Sequence, residues 1–235
     1  MFKKAILASA LVLTTVSASA ITIDDQGADQ YIGAGDYLGL DRDVVGNSNF
    51  EVYGMNISND DDFLYVDILT NFDPSVSSGY YYGDLFISVD GLKVQDSITD
   101  DFSNGTSWEF AVDSSESKLV ALTDALIETS TDIYGTGASI RHNQAVRYIG
   151  SGSSDVTSAG FSVTGSGPAT LSYTIALADL GIYDATAGQD IGLRWGMTCA
   201  NDVTQGSYNV PEPGTLALFG LALAGLGLTG RKKRA

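Results

Sequence analysis

Short runs of β-forming residues, each closed by turn chemistry after a few positions, constrain this chain more than any other feature of it. Phe50–Met55 alternates imperfectly, Phe63–Leu69 is dense in branched and aromatic residues, and Leu85–Val89 follows a Tyr/Gly loop. Trp108–Val112, Leu119–Leu122, Ala145–Ile149, Gly160–Val163, Thr170–Ala176 and Ile191–Thr198 continue the series. Asp90-Gly91, Asn104-Gly105, Gly135-Thr136-Gly137 and Gly165-Ser166-Gly167-Pro168 separate them. Only Leu177–Leu180, ended by Gly181, reads as a helical turn, and the Ser/Gly-rich stretch Ser151–Ser158 reads as a surface loop. Many short strands with frequent glycine turns predict an all-β fold, a jelly-roll-like β-sandwich.

The two ends follow other rules. Met1-Phe2-Lys3-Lys4 is a basic start, Ala5–Val16 is apolar, and Ala18-Ser19-Ala20 is a small-residue cleavage site. Together they predict a secretory signal peptide handled by the Sec translocon and cut after Ala20. At the other end, Pro211 and Pro213 lack backbone donors and fix φ, so Val210–Gly214 is expected to be extended and exposed. Leu216–Leu228 carries no charge, and Arg231, Lys232, Lys233 and Arg234 follow it. The apolar run Thr215–Gly230 approaches the lower limit of the roughly 17–25 residues that span a bilayer. A helix buried in a globular core would show a polar face and would not need a cluster of cations at its end. The expectation is a membrane helix with its basic end on the cytoplasmic side. This divides the chain into a signal peptide at 1–20, an exported domain at 21–209 and a sorting tail at 210–235.

The Val-Pro-Glu-Pro motif, the short apolar helix and the terminal basic cluster, in that order, resemble the PEP-CTERM sorting signal of exported bacterial proteins. The resemblance implies recognition by an exosortase, a membrane-embedded, transpeptidase-like cysteine protease that would cut near Pro211, Glu212 and Pro213. It implies a protein anchored in the membrane before processing, then placed at the cell surface, outer envelope or extracellular matrix of a Gram-negative bacterium. Proteins of that kind accompany exopolysaccharide and biofilm loci.

Charge narrows the partners. The chain carries a net charge of −17, and the exported domain is more acidic still, because half the cations sit in the two terminal segments. Nucleic acid is excluded as a partner, since phosphate binding needs clustered cations. Acidic polysaccharide would be repelled unless divalent ions bridge the two. Cys199 is the single cysteine and His142 the single histidine. No intramolecular disulfide can form, Cys199 is expected to be a buried inert thiol, and no spacing supports a Cys/His catalytic pair.

A second likeness covers most of the middle. Asp61–Val66, Gly83–Asp90, Trp108–Val112, Tyr173–Gly181, Ile191–Trp195 and Asn201-Asp202 form a series similar to the DOMON and family-nine carbohydrate-binding-module sandwich. That resemblance implies a sugar- or haem-binding β-sandwich, sometimes with structural calcium. Haem needs axial ligands facing one pocket, which one histidine and scattered methionines do not supply. Sugar needs exposed aromatic platforms. Leu193, Trp195 and Met197 share one strand face and Trp108, Phe110 and Val112 another, so both tryptophans are expected in the core. Tyr80, Tyr81 and Tyr82, bracketed by Gly79 and Gly83, are the surface candidates. The alternative is a loop whose alternate rings pack back onto the sandwich edge.

Carboxylates cluster at Asp24-Asp25, Asp41/Asp43, Asp60-Asp61-Asp62 and Asp100-Asp101. Calcium selects hard oxygen ligands on loops, although no segment follows the EF-hand pattern. Asp60, Asp61 and Asp62 are the first candidates, because the sandwich likeness places a loop leading into a strand there. No cofactor other than such a structural calcium is expected. The chain has no nucleophile elbow, zinc-protease helix or phosphate loop. The expectation is a non-enzymatic binding or structural component of the envelope or matrix, associated with exopolysaccharide. The alternatives are a dedicated carbohydrate-binding module and a secreted glycan-active enzyme.

Overall fold

The computed structural model describes residues 20–25, 44–77, 79–93, 105–136, 139–150, 155–182 and 188–210. The signal peptide before Ala20, the Pro211–Pro213 motif, the apolar run Thr215–Gly230, the cations Arg231–Arg234 and the pairs Asp41/Asp43 and Asp100/Asp101 lie outside them. Among the described residues no helix is long and apolar enough to cross a membrane.

In chain order the strands are β1 Ala20–Asp24, β2 Val52–Asn59, β3 Phe63–Thr70, β4 Leu85–Ser88, β5 Phe110–Asp113, β6 Lys118–Ala121 and β7 Ile127–Thr129. After a single helical turn, α1 Ser130–Tyr134, come β8 Ala145–Tyr148, β9 Asp155–Ser158, β10 Gly160–Gly165, β11 Ala169–Ala176, β12 Gln189–Gly196 and β13 Val203–Val210. One sheet has the order β1-β2-β3-β11-β10 and the second β13-β12-β4-β5-β6-β9, and every pairing is antiparallel. The chain returns from the second sheet to the first between β9 and β10, and it crosses from the first to the second twice, between β3 and β4 and between β11 and β12. Those crossings lie side by side, since β3 pairs with β11 and β4 with β12. The expected all-β sandwich is therefore the observed one.

Local sequence explains the first sheet. Leu64, Val66, Ile68 and Thr70 alternate inward along β3, and Ala169, Leu171, Tyr173 and Ile175 do so along β11. Antiparallel pairing sets Leu171 beside Ile68, Tyr173 beside Val66 and Ile175 beside Leu64. Opposite them Leu85, Ile87, Val112, Leu119, Ile191, Leu193 and Trp195 close the core from the second sheet. A bulge between Val52 and Gly54 bends β2, and Gly54 takes φ +124°. A Cβ there would lie 2.0 Å from the carbonyl oxygen of Ile23, so only glycine lets β1 pair at that point.

The outer face of the second sheet is also covered. Strands β7 and β8 form a small sheet of their own, and their residues Ile127, Ala145 and Tyr148 pack with Phe86, Trp108, Ala111 and Val120. Helix α1 joins the two strands and starts with a capping box, in which Thr129 and Asp132 exchange side-chain and backbone hydrogen bonds. The second sheet is thus a middle layer, and β12 is buried on both faces from Ile191 to Gly196.

Four sequence expectations change, the first being that Leu177–Leu180 is not alone as a helical turn, because α1 forms another behind its capping box. Ser151–Ser158 is not wholly a loop, because β9 occupies its last residues and pairs with β6. Strand β13 has no counterpart in the pattern: Val-Thr-Gln-Gly-Ser-Tyr-Asn-Val is polar, and pairing with β12 over its whole length holds it extended. Trp108 does not share a face with Phe110 and Val112. The chain bends at Glu109, β5 begins at Phe110, and Trp108 turns outward to meet Phe86 at 6.1 Å between ring centroids.

Both tryptophans are nonetheless buried, Trp195 completely. Its indole N–H donates to the Gly83 carbonyl at 3.2 Å. Truncating Trp195 to Ala is expected to cost roughly 3–5 kcal/mol through lost transfer energy and the cavity left behind. Chemical denaturation of wild type and Trp195→Ala measures this directly.

Candidate functional site

The tyrosine triplet divides by backbone alternation. Tyr82 forms a bridge with Met197, and Tyr81 exchanges two hydrogen bonds with Thr198, its N–H to the threonine Oγ1 at 3.0 Å and its carbonyl from the threonine N–H at 2.9 Å. In an extended segment held this way successive side chains point to opposite faces. Tyr80 packs edge-on against Phe50 and Tyr134. Tyr82 packs edge-on against Phe72 and lies 6.4 Å from Trp195 between centroids. Those two rings join the core periphery, and only Tyr81, 61% exposed, faces solvent.

Beside Tyr81 opens a cleft of about 290 Å³, lined by Tyr81, Tyr82, Asp84, Asp113, Ser114, Ser115, Arg147, Tyr148 and Thr198. Its walls come from the strap before β4, the turn between β5 and β6, strand β8 and the end of β12. Asp84 anchors them. Its Oδ1 accepts the backbone N–H of Ser114 and its Oδ2 that of Tyr148, both at 2.8 Å, while its own N–H donates to the Val146 carbonyl at 3.0 Å. Ser114 Oγ donates to the Gly83 carbonyl at 2.9 Å and lies 3.2 Å from the Tyr173 hydroxyl. Gly83 has no alternative: a Cβ would sit 2.1 Å from the Gly196 carbonyl and 2.7 Å from that of Val146.

On the rim, Arg147 bonds through Nε and one terminal nitrogen to Glu128 Oε2 across the β7–β8 pair. Asp113 uses one oxygen, Oδ1, to accept the N–H groups of Ser115 and Glu116 and the Ser115 hydroxyl. The cleft thus combines an exposed aromatic face, carboxylates, a planar cation and hydroxyls. Of its residues only Tyr81 and Tyr82 are sequence candidates. Asp84 is legible afterwards as a lone carboxylate heading the apolar run Leu-Phe-Ile, whereas Arg147 and Ser115 carry no local signal.

The other candidates stand apart from this cleft. Asp60 closes the β2–β3 turn: its Oδ1 accepts the N–H groups of Asp62 and Phe63 at 2.9 and 2.8 Å, and its Oδ2 accepts the Tyr65 hydroxyl at 2.8 Å. Those bonds, the one from Asp62 foremost, hold its carboxyl below the usual range. Asp61 and Asp62 are exposed. Among the described residues no three His, Cys, Asp or Glu side chains are grouped as a metal site would require. Cys199 is buried, and burial pushes its thiol up to about 12, so at neutral pH it carries no thiolate to react. Ala20 opens β1 and pairs with Ser58, so a cut after it would remove one terminal residue of that strand.

Burial acts the other way on Asp84. Loss of solvent, reinforced by the charge of Asp113 and opposed by the hydrogen bonds from Tyr148 and Ser114, pushes its carboxyl from 3.8 up to about 7. Between those values the folded protein holds a proton that the unfolded chain has released, so stability falls as pH rises across the window. At about 1.4 kcal/mol per pKa unit the loss amounts to roughly 4 kcal/mol. Melts from pH 4 to pH 8 are expected to decline for wild type. Asp84→Asn is expected to flatten that decline, while lowering stability at pH 4 because its amide sets a donor against a donor.

Residues 209–234 match the family model described as the PEP-CTERM protein-sorting motif. The match begins where β13 ends, so the motif follows directly on the last strand of the sandwich. No curated protein and no solved structure matches the chain, and the likeness of the middle to the DOMON and family-nine sandwich has no match behind it. The chain carries a PEP-CTERM sorting signal, which marks it as an exported protein with an exosortase as its processing partner.

Proposed function

We propose that this protein is a non-catalytic component of the cell surface, outer envelope or extracellular matrix of a Gram-negative bacterium, and that it holds a glycan of the exopolysaccharide or biofilm in the Tyr81 cleft. The observation that carries the reading is the exposed Tyr81 ring at the mouth of a polar cleft. An amphipathic ring offers its apolar face to the C–H face of a sugar, and the carboxylates, hydroxyls and guanidinium beside it suit hydroxyl groups. The backbone bonds to Thr198 fix the segment before any ligand arrives, which lowers the entropy cost of binding. On this proposal the tail delivers the domain: a helix at Thr215–Gly230, with Arg231–Arg234 on its cytoplasmic side, holds it until the exosortase cuts near Pro211–Pro213.

A structural calcium at the β2–β3 turn belongs to the same proposal. Both oxygens of Asp60 already accept hydrogen bonds, so Asp61 and Asp62 would supply the free ligands. A bound ion is expected to raise the melting temperature, by the equivalent of about 2.7 kcal/mol at a hundredfold excess over its dissociation constant. The rise should vanish in Asp61→Asn/Asp62→Asn, and identical melts with calcium and with chelator would remove the ion from the turn.

A glycan-active enzyme is the second reading. It is favoured by Asp84, whose raised pKa beside a second carboxylate suits a general acid. Tyr81→Ala is expected to keep the wild-type melt within about 0.5 kcal/mol and to lose retention on insoluble exopolysaccharide. Retention unchanged by Tyr81→Ala would sink the cleft assignment. Release of reducing ends, abolished in Asp84→Asn, would replace binding by hydrolysis.

A further inference from the structure

We infer that the cleft selects glycans bearing free amino groups, a partly or wholly deacetylated hexosamine polymer, and seats the ammonium between Asp84 and Asp113 while the sugar ring lies on Tyr81. The inference rests on the glycan reading above and names the sugar class.

Charge within the cleft is the first ground. Its described walls carry Asp84 and Asp113 against one cation, Arg147, and Glu128 already takes up that guanidinium through two hydrogen bonds to a single oxygen. Lys118, the cross-strand partner of Asp113, is likewise paired, to Glu116 at 2.9 Å. Neither cleft carboxylate has a cation of its own among the described residues.

The state of each carboxylate is the second ground. Asp84 is 4% exposed and its hydrogen bonds come only from neutral donors, the backbone and side chain of Ser114 and the backbone of Tyr148. Asp113 spends Oδ1 on its turn, and Oδ2 accepts no hydrogen bond among the described residues. The two acids repel each other, which contributes to the raised pKa of Asp84. An ammonium relieves that repulsion and forms charge-assisted hydrogen bonds in a partly desolvated site, where they are strongest. Tyr81 adds a ring face, which attracts both an apolar sugar face and a nearby cation.

The third ground is what the same charges exclude. A uronic acid polymer would approach a chain of net charge −17 and set a third carboxylate beside two. A neutral N-acetylated sugar keeps the stacking on Tyr81 but offers no charge to the acids.

The experiment uses the exported protein and three oligosaccharides of equal length, a glucosamine oligomer, its N-acetylated form and a uronic acid oligomer, titrated at low and at moderate salt. The glucosamine oligomer is expected to bind at least about tenfold more tightly than the acetylated one, with a lead that narrows as salt screens the charges. Asp113→Asn keeps the Oδ1 acceptor of the turn and removes the charge, so it should erase most of that lead. Asp61→Asn, an exposed acid on another turn, should leave the lead intact. An equal loss in both variants would show general attraction of a polycation to an acidic protein and would overturn the inference. Equal binding of the amino and acetylated oligomers would overturn it too while keeping the glycan reading, and so would preference for the uronic oligomer. If none of the three binds, the glycan reading itself falls.

Discussion

The carbonyl oxygen of Gly83 accepts the indole N–H of Trp195 and the hydroxyl of Ser114, and the carboxylate of the next residue accepts backbone N–H groups from Ser114 and Tyr148. Two consecutive residues thereby tie together the inter-sheet core, the β5–β6 turn and the outer β7–β8 layer. Tyr173 reaches the same knot from the other sheet through Ser114. The position tolerates no side chain at Gly83 and buries a carboxylate at Asp84, so neighbouring backbone must supply the donors that water no longer can. The cleft exists because the second sheet and the outer β7–β8 layer meet there without closing completely.

That arrangement has an energetic asymmetry. The turn carboxylates Asp60, Asp73 and Asp132 are held below their usual range by hydrogen bonds from nearby backbone and side-chain groups. They favour the folded state once ionised, and that contribution is lost as pH falls through their lowered values. Asp84 opposes folding as it ionises, because desolvation outweighs its hydrogen bonds.

The cations show the same economy. Arg141 is buried against Asp202, which also accepts the N–H groups of Val52 and Val203, and Arg194 is buried with a hydrogen bond to Gln205. Arg147 and Lys118 are engaged by Glu128 and Glu116. With these positive charges committed to local partners, the outward field of the domain is set by its acids, which favours solubility and repels polyanions.

The alternation of Phe63–Leu69 and Thr170–Ala176, the turn residues between strands and the Gly181 stop were enough to read an all-β sandwich from the sequence, because those signals are local. The terminal motif was equally legible, since the sorting signal is a linear pattern of prolines, apolar residues and cations. Strand β13 was not, because its polar residues become a strand only through the ladder that β12 offers. Trp108 was misplaced because a bend at Glu109 breaks the period on which its face was assigned. Of the site, the sequence exposed the tyrosine triplet but could not choose among its members. That choice needed the bridge of Tyr82 to Met197 and the bonds of Tyr81 to Thr198, which orient one ring outward and two inward. Asp84, Asp113 and Arg147 are distant in the chain and meet only when the strap before β4, the β5–β6 turn and β8 are packed together. Periodicity reports which residues face a core; only the tertiary structure decides which polar groups converge where two layers fail to close.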